Sequence, residues 1–176
     1  MRELIETVTT WDVHFFTSIF RLNRRRMLAT IVPVVSHTGD GYPYLLLPLM
    51  VAWLAPEVLV PFTVAGVVAF AIELPAYRVV KHWVKRDRPF VKLPGITRRI
   101  VPADRFSFPS GHTAAAFVVL LLVGWFFPPM LVLLVPWAWG VAFSRIYLGV
   151  HYPSDTIAGM VLGLISAGAG LAVVFA

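Results

Sequence analysis

Apolar residues gather along this chain in five runs, each near the length of about 20 residues that a bilayer-crossing helix needs. They fall at residues 42–55 (extended by Gly41 and its neighbours), 58–80, 113–127, 130–147 and 156–176, and predict five transmembrane helices. The second carries Glu73 and Pro75 inside it. The fifth is rich in small residues (Gly159, Gly163, Ala167, Gly168, Gly170), which suits close helix packing. The first 38 residues are different. Residues 1–20 lack the basic-then-apolar order of a cleavable signal. Phe15, Phe16, Ile19, Phe20 and Leu22, followed by Arg24, Arg25 and Arg26, predict an amphipathic helix lying in the membrane interface. Residues 27–36 are apolar but too short to cross alone. Joining the two pieces would make a sixth span, at the cost of carrying Arg21 and Arg24 to Arg26 into or near the membrane, so the interfacial reading is preferred. The predicted fold is all-α: a polytopic transmembrane helical bundle of five to six spans with an N-terminal interfacial amphipathic helix, one domain over residues 1–176.

Composition strengthens the membrane reading. Hydrophobic residues make up 59% of the 176 and charged residues 14%, far more apolar than the roughly 45–50% of soluble globular chains. There is no Cys, so disulfides and thiolate metal sites are excluded. The formal charge of +6 points to attraction to a membrane surface, to topology signalling, or to an anion-binding site. Nucleic acid is a poor partner, because the basic residues stand beside the apolar runs rather than along a soluble face.

Five alternating spans place the remaining polar clusters on one membrane face. The opposite face receives only the connections at 55–57 and 127–129 and the C-terminus. The first cluster runs from Lys81 to Pro89. On a helix Lys81 and Arg88 project from the same side, about two turns apart, and stand evenly between a phosphate grip and a basic flank. Lys85, Arg86 and His82 read as flank. In the second cluster, Pro109-Ser110-Gly111-His112, Ser110 is a natural N-cap, and Gly111 lets an anion approach the helix N-terminus. In the third, Arg145 closes one run, His151 lies in the turn, Pro153 opens the next helix, and Asp155 follows His151 by four residues. There it can hold one ring nitrogen and leave the other to attack. This inventory suits phosphoryl transfer, with cations for the equatorial oxygens, a nucleophile and a leaving-group acid. It does not suit a metal: two candidate histidines and one carboxylate among many cations would repel Mg²⁺ or Zn²⁺.

Lys81-x6-Arg88-Pro89, Pro109-Ser110-Gly111-His112 and Ser144-Arg145-x5-His151-x3-Asp155 resemble the three signature motifs of the type 2 phosphatidic acid phosphatase and vanadium haloperoxidase superfamily, in order and without departure. The flanking helices resemble its small bacterial membrane phosphatases. The resemblance implies that His151 attacks phosphorus to form a phosphohistidine, oriented by Asp155, and that His112 is the general acid. It further implies that Lys81, Arg88, Ser110, the Gly111 N–H and Arg145 hold the phosphate oxygens. No metal and no cofactor is implied. The implied substrate is a membrane lipid phosphate: phosphatidylglycerol phosphate, phosphatidic acid, undecaprenyl diphosphate or lipid A 1-phosphate. The implied place is the bacterial inner membrane, with the site on the periplasmic face. The basic residues of that face would read as cytoplasmic under the positive-inside rule, but they have a catalytic reason to be there. A vanadate-dependent haloperoxidase and a non-catalytic scaffold or transporter with a basic vestibule are the alternatives. Nothing in the sequence speaks to oligomeric state.

Three smaller features stay open. The loop at 90–108, with Lys92, Arg98, Arg99 and Arg105, reads equally as a grip for a large anionic head group and as a solvated face. Gly39-Asp40-Gly41 reads first as a turn and second as support for the site. Glu73 reads equally as a functional group and as a structural hydrogen-bonding one near Pro75.

Overall fold

The computed structural model describes residues 2–24 and 26–176, with side chains from residue 9, except 23–25. No strand occurs among the described residues. The helices in chain order are α1 (Arg2–Phe20), α2 (Arg26–His37), α3 (Leu47–Leu54), α4 (Leu59–Val84), α5 (Pro89–Lys92), α6 (Gly111–Phe126), α7 (Leu131–Tyr147) and α8 (Pro153–Phe175). Short 3₁₀ turns at Arg21–Arg24, Tyr42–Leu46, Pro56–Val58 and Pro128–Met130 join several of them.

Three helical segments are long and apolar enough to cross a membrane, Pro56–Lys92, Pro128–Tyr147 and Pro153–Phe175, so the chain is a multi-pass membrane protein. The run at 42–55 becomes a 3₁₀ turn followed by the eight residues of α3, and the run at 113–127 becomes the 16 residues of α6. The first run is thus divided and α6 keeps the bounds of the other to within two residues, so each helix is shorter than a full span of about 20 residues, and proline is the reason. Pro43, Pro48 and Pro56 punctuate the first, and Pro128 with Pro129 stops the other. Large apolar side chains such as Trp53, Val60, Val132 and Ile165 lie exposed on the outer surface. So broad an apolar exterior suits lipid rather than water.

The core is α8 laid between α4 and α6. Small residues make that approach possible, because a Cβ on Gly159, Gly163 or Gly170 would come within 2.2–2.4 Å of a backbone oxygen of Ser110, Ala114 or Ala65. Gly168 is the exception, with open space around it. Ala65, Ala69, Val118, Leu122 and Ala167 fill the seam.

The N-terminal third wraps this core. The apolar side of α1 meets protein: Phe16 is fully buried beside Tyr152 and Ile146, with Ile19 and Phe20 packed around it. Trp11 and Phe15, stacked on each other, are the exposed aromatics of that helix. The end of α4 sets up the site. Lys85 takes a left-handed conformation (φ 48°) that stops the helix, and Arg88 is extended before Pro89.

Candidate active site

All three clusters meet at one end of the bundle. Lys81 Nζ, on the last turn of α4, donates to Tyr77 Oη at 2.7 Å and to both oxygens of Asp104 at 2.8 Å. Arg88 is buried. Its Nη2 donates to Asp104 at 2.7 Å, while Nη1 donates to the Val150 carbonyl at 2.7 Å and stands 3.3 Å from His151 Nε2. Burial works to raise the Asp104 carboxyl. The hydrogen bonds of Lys81 and Tyr77, with the charges of Lys81 and Arg88, outweigh it and hold the group down at about 2.

Arg145 ends α7 with Nη1 donating to Ser36 Oγ at 2.6 Å. Its carbonyl caps the following turn, accepting the N–H groups of Val150 and His151, both at 3.2 Å. Gly149 provides the positive φ (80°) that this turn requires. His151 is thereby fixed and buried. Burial first, then the charges of Arg88, Arg145 and Lys81, hold its imidazole well below the ordinary histidine value. The ring is neutral at pH 7 and keeps a lone pair.

Asp155, in the first turn of α8, lies 3.6 Å from His151 Nδ1, within ion-pair reach but longer than a hydrogen bond. Its oxygens are engaged elsewhere. Oδ1 accepts from Arg86 Nη1 and Oδ2 from the Tyr152 N–H, both at 2.8 Å. Arg86 is therefore no mere basic flank. It also donates to Asp12 on α1 at 2.6 Å and to Ser154 at 2.7 Å, and it lies over the Tyr152 ring. A buried carboxylate such as Asp155 requires a cation nearby. That requirement was a usable sequence signal, though it could not single out Arg86 among its neighbours.

Ser110 caps α6, accepting from Thr113 N at 3.5 Å, and its own N–H donates to the Asp155 carbonyl at 2.9 Å. Gly111 faces Tyr77, whose ring would lie 2.9 Å from any Cβ at that position. His112 Nε2 stands 2.7 Å from Asp40 Oδ1. Gly39-Asp40-Gly41 is thus both a turn and a support for the site. In the loop at 90–108 Lys92, Arg98, Arg99 and Arg105 are all exposed, as the solvated-face reading has it. Arg98 and Arg105 lie over Phe90 and Phe106, and the side chain this loop sends into the site is its lone acid, Asp104. Sequence reasoning passed over Asp12, Ser36, Tyr77 and Asp104, none of which belongs to a motif.

Arg88 Nε, Arg145 Nε and His151 Nδ1 are buried and find no hydrogen-bond partner among the described residues. Beside His112 a cavity of about 670 Å³ runs between α3, α4 and α6, lined mainly by apolar groups such as Leu47, Phe62, Val67, Phe70, Val119 and Leu122. Tyr44 Oη, Thr63 Oγ1 and Glu73 Oε2 in its wall are buried without partners among the described residues. Among the described residues no group of three His, Cys, Asp or Glu side chains is arranged to hold a metal ion.

The profile of the PAP2 superfamily matches residues 57–176. A decaprenylphosphoryl-5-phosphoribose phosphatase of Mycobacterium tuberculosis is 38% identical over 144 residues, covering 81% of this chain and 77% of the relative. The bacitracin transport permease protein BcrC of Bacillus licheniformis is 34% identical over 137 residues, covering 77% and 68%. In fold, the chain is similar to the crystal structure of Aquifex aeolicus LpxE, with a TM-score of 0.81 at 24% identity over 92% of this chain and 95% of that one.

Proposed function

This chain belongs to the PAP2 superfamily, and on that footing we propose that it is a membrane lipid phosphatase working through a phosphohistidine on His151. The observation that carries the reading is the convergence of Lys81, Arg88 and Arg145 on a neutral, buried His151. Three cations in one buried place repel one another, and a phosphate dianion relieves that repulsion. It would also bring acceptors to the guanidinium N–H groups that lack them, each unpaired group costing about 1–3 kcal/mol.

His151 presents Nε2 to the cations and Nδ1 toward Asp155. In the first half-reaction the Nε2 lone pair bonds to phosphorus, the bond to the leaving oxygen breaks with its electrons, and His112 protonates that oxygen. In the second, a water oxygen bonds to phosphorus, His112 takes its proton, and the P–N electrons return to His151. Lys81, Arg88, Arg145, Ser110 and the Gly111 N–H hold the equatorial oxygens. Asp155 steadies the ring and needs only a slight shift to reach Nδ1, a tightening common when substrate binds. These cations do the neutralising elsewhere done by a metal, so the reaction needs none.

The apolar cavity beside His112 suits the hydrocarbon chain of the substrate, with the head group at the mouth. A polyprenyl-linked phosphate or another lipid phosphate fits this division. Tilted or locally thinned lipid would let α3 and α6 complete five spans, with α1 at the interface on the side of Trp11 and Phe15. The site would face the periplasm of a bacterial inner membrane.

The test is phosphate release from a panel of lipid phosphates in detergent containing EDTA. Wild type is expected to release phosphate from at least one, and His151→Ala to lose that release. Undiminished release by the variant removes His151 as nucleophile, and inhibition by EDTA removes the metal-free mechanism. No release from any lipid would shift the balance to the transport role that the name of the permease relative describes.

A further inference from the structure

The turn between α2 and α3 is built around one contact. Asp40 Oδ1 stands 2.7 Å from His112 Nε2, and its Oδ2 stands 2.8 Å from His37 Nδ1. The Asp40 N–H donates to the His37 carbonyl at 3.1 Å, which shapes the turn. Both flanking glycines are required by it. Gly41 has φ 88°, and a Cβ on Gly39 would come 2.9 Å from Val141 Cγ1 and 3.6 Å from the His112 ring itself. The turn therefore runs beside the His112 ring, with the Asp40 carboxylate in hydrogen-bond reach of its Nε2. Burial works to raise the Asp40 carboxyl, but the hydrogen bonds to His37 and His112 outweigh it and keep the group ionised at neutral pH. An ionised carboxylate only accepts hydrogen bonds, so Nε2 of His112 carries a hydrogen toward Asp40, and Nδ1 is the nitrogen left to carry the imidazolium's second proton to the substrate.

We propose that Asp40 is the positioning residue of the general acid, holding the His112 ring through Nε2–H so that Nδ1 meets the leaving oxygen. The inference rests on the phosphatase reading above. His112 enters this step as the imidazolium, protonated on both nitrogens: when the P–O bond breaks, its electrons go to the leaving oxygen, the Nδ1 proton follows, and the ring is left neutral with its hydrogen on Nε2. When water later attacks phosphorus, its proton returns to Nδ1. Asp40 is unchanged by either step and sets the direction of both. Arg145 from α7, Asp104 from the preceding loop and His151 also act electrostatically on this pair of steps, but Asp40 is the carboxylate bonded to the ring.

A positioning role for the acid has a signature that a structural role lacks: dependence on the leaving group. We would measure kcat/KM, which reports only the first half-reaction, for a lipid phosphate and for p-nitrophenyl phosphate, whose leaving oxygen departs readily without a proton. Asp40→Asn and Asp40→Ala are expected to lower the lipid value roughly 10- to 100-fold and the nitrophenyl value less than about threefold. Asp40→Glu should recover part of the lipid rate. The ratio of the two values does not depend on the fraction of enzyme folded, so partial misfolding cannot mimic the result. Equal losses on both substrates, or no loss on the lipid, overturn the inference while leaving the phosphatase reading intact. A wild type that releases phosphate from neither substrate overturns both.

Discussion

The groups that would touch phosphate and the groups that hold them come from different parts of the chain. Lys81, Arg88, Ser110, His112, Arg145 and His151 lie on α4, α6, α7 and the turns beside them, inside the region matched by the family profile. Their supports come largely from earlier. Asp12 binds Arg86 and Ser154 next to Asp155, Ser36 binds Arg145, and Asp40 binds His112. Cations buried together repel, and long side chains have many rotamers to lose. A short polar partner on a neighbouring helix addresses both costs. On the proposed mechanism, the difference teaches that the motifs would supply the reagents and the N-terminal third their aim.

The sharpest contrast lies at Arg145. Arg145→Ala removes a cation from the developing phosphoryl charge and is expected to lower kcat on the order of 10²–10³-fold. Ser36→Ala removes only the acceptor of its Nη1 and is expected to cost about 3- to 10-fold, near the net worth of one ordinary hydrogen bond. Parallel kinetics on both variants decide the matter. Similar losses at the two positions would erase the distinction between reagent and support.

Stability should follow a different line, because packing rests on the seam among α4, α6 and α8. Gly163→Ala places a methyl 2.2 Å from the Ala114 carbonyl oxygen, with backbone on both sides, and should cost at least about 1–3 kcal/mol. Gly168→Ala meets open space and should be neutral or slightly stabilising, since alanine is the better helix former by up to about 1 kcal/mol. Thermal unfolding in detergent separates the pair. Asp12→Asn bridges the two halves. Asp12 is buried and accepts from Arg86 Nη2 at 2.6 Å and Ser154 N at 2.9 Å. Its loss should cost about 1–3 kcal/mol, with a several-fold fall in kcat as Arg86 loosens its hold on Asp155. Unchanged kcat would mean that α1 only covers the site.

Much of this arrangement was legible in the sequence because motif spacing and helix periodicity are local. The distance from His151 to Asp155 and the proline before α8 are set by a few bonds. The supports were not legible, because Asp12 lies 142 residues from Ser154 and Ser36 lies 109 from Arg145. Nothing in the local chemistry of a lone Asp or Ser names a partner that far away. The first run departs from expectation for a related reason: it reads as one continuous apolar stretch, but Pro43 and Pro48 divide it into a 3₁₀ turn and a short helix. Arg86 reads as flank in the sequence because Lys81, Lys85, Arg86 and Arg88 stand close together, and only the fold decides which of them turn inward.

Asp104 departs from the comparison, since it is a support that comes from the motif half and binds the very groups phosphate needs. Its effects on stability and affinity should therefore have opposite signs. The folded carboxyl lies at about 2, below its unfolded value of 3.8. The group thus stabilises the fold fully above the unfolded value, and that stabilisation is lost as pH falls through about 4 toward 2. The difference in melting temperature between wild type and Asp104→Asn should be flat above about pH 5 and shrink below about pH 4. At neutral pH the same variant frees Lys81 Nζ and Arg88 Nη2 from a carboxylate that competes with substrate. Inorganic phosphate should then inhibit Asp104→Asn only a few-fold more tightly, because the carboxylate removed from Lys81 and Arg88 is partly exposed to solvent and its pull on them is screened. Weaker inhibition would instead show that Asp104 aligns the two cations for phosphate rather than competing with it.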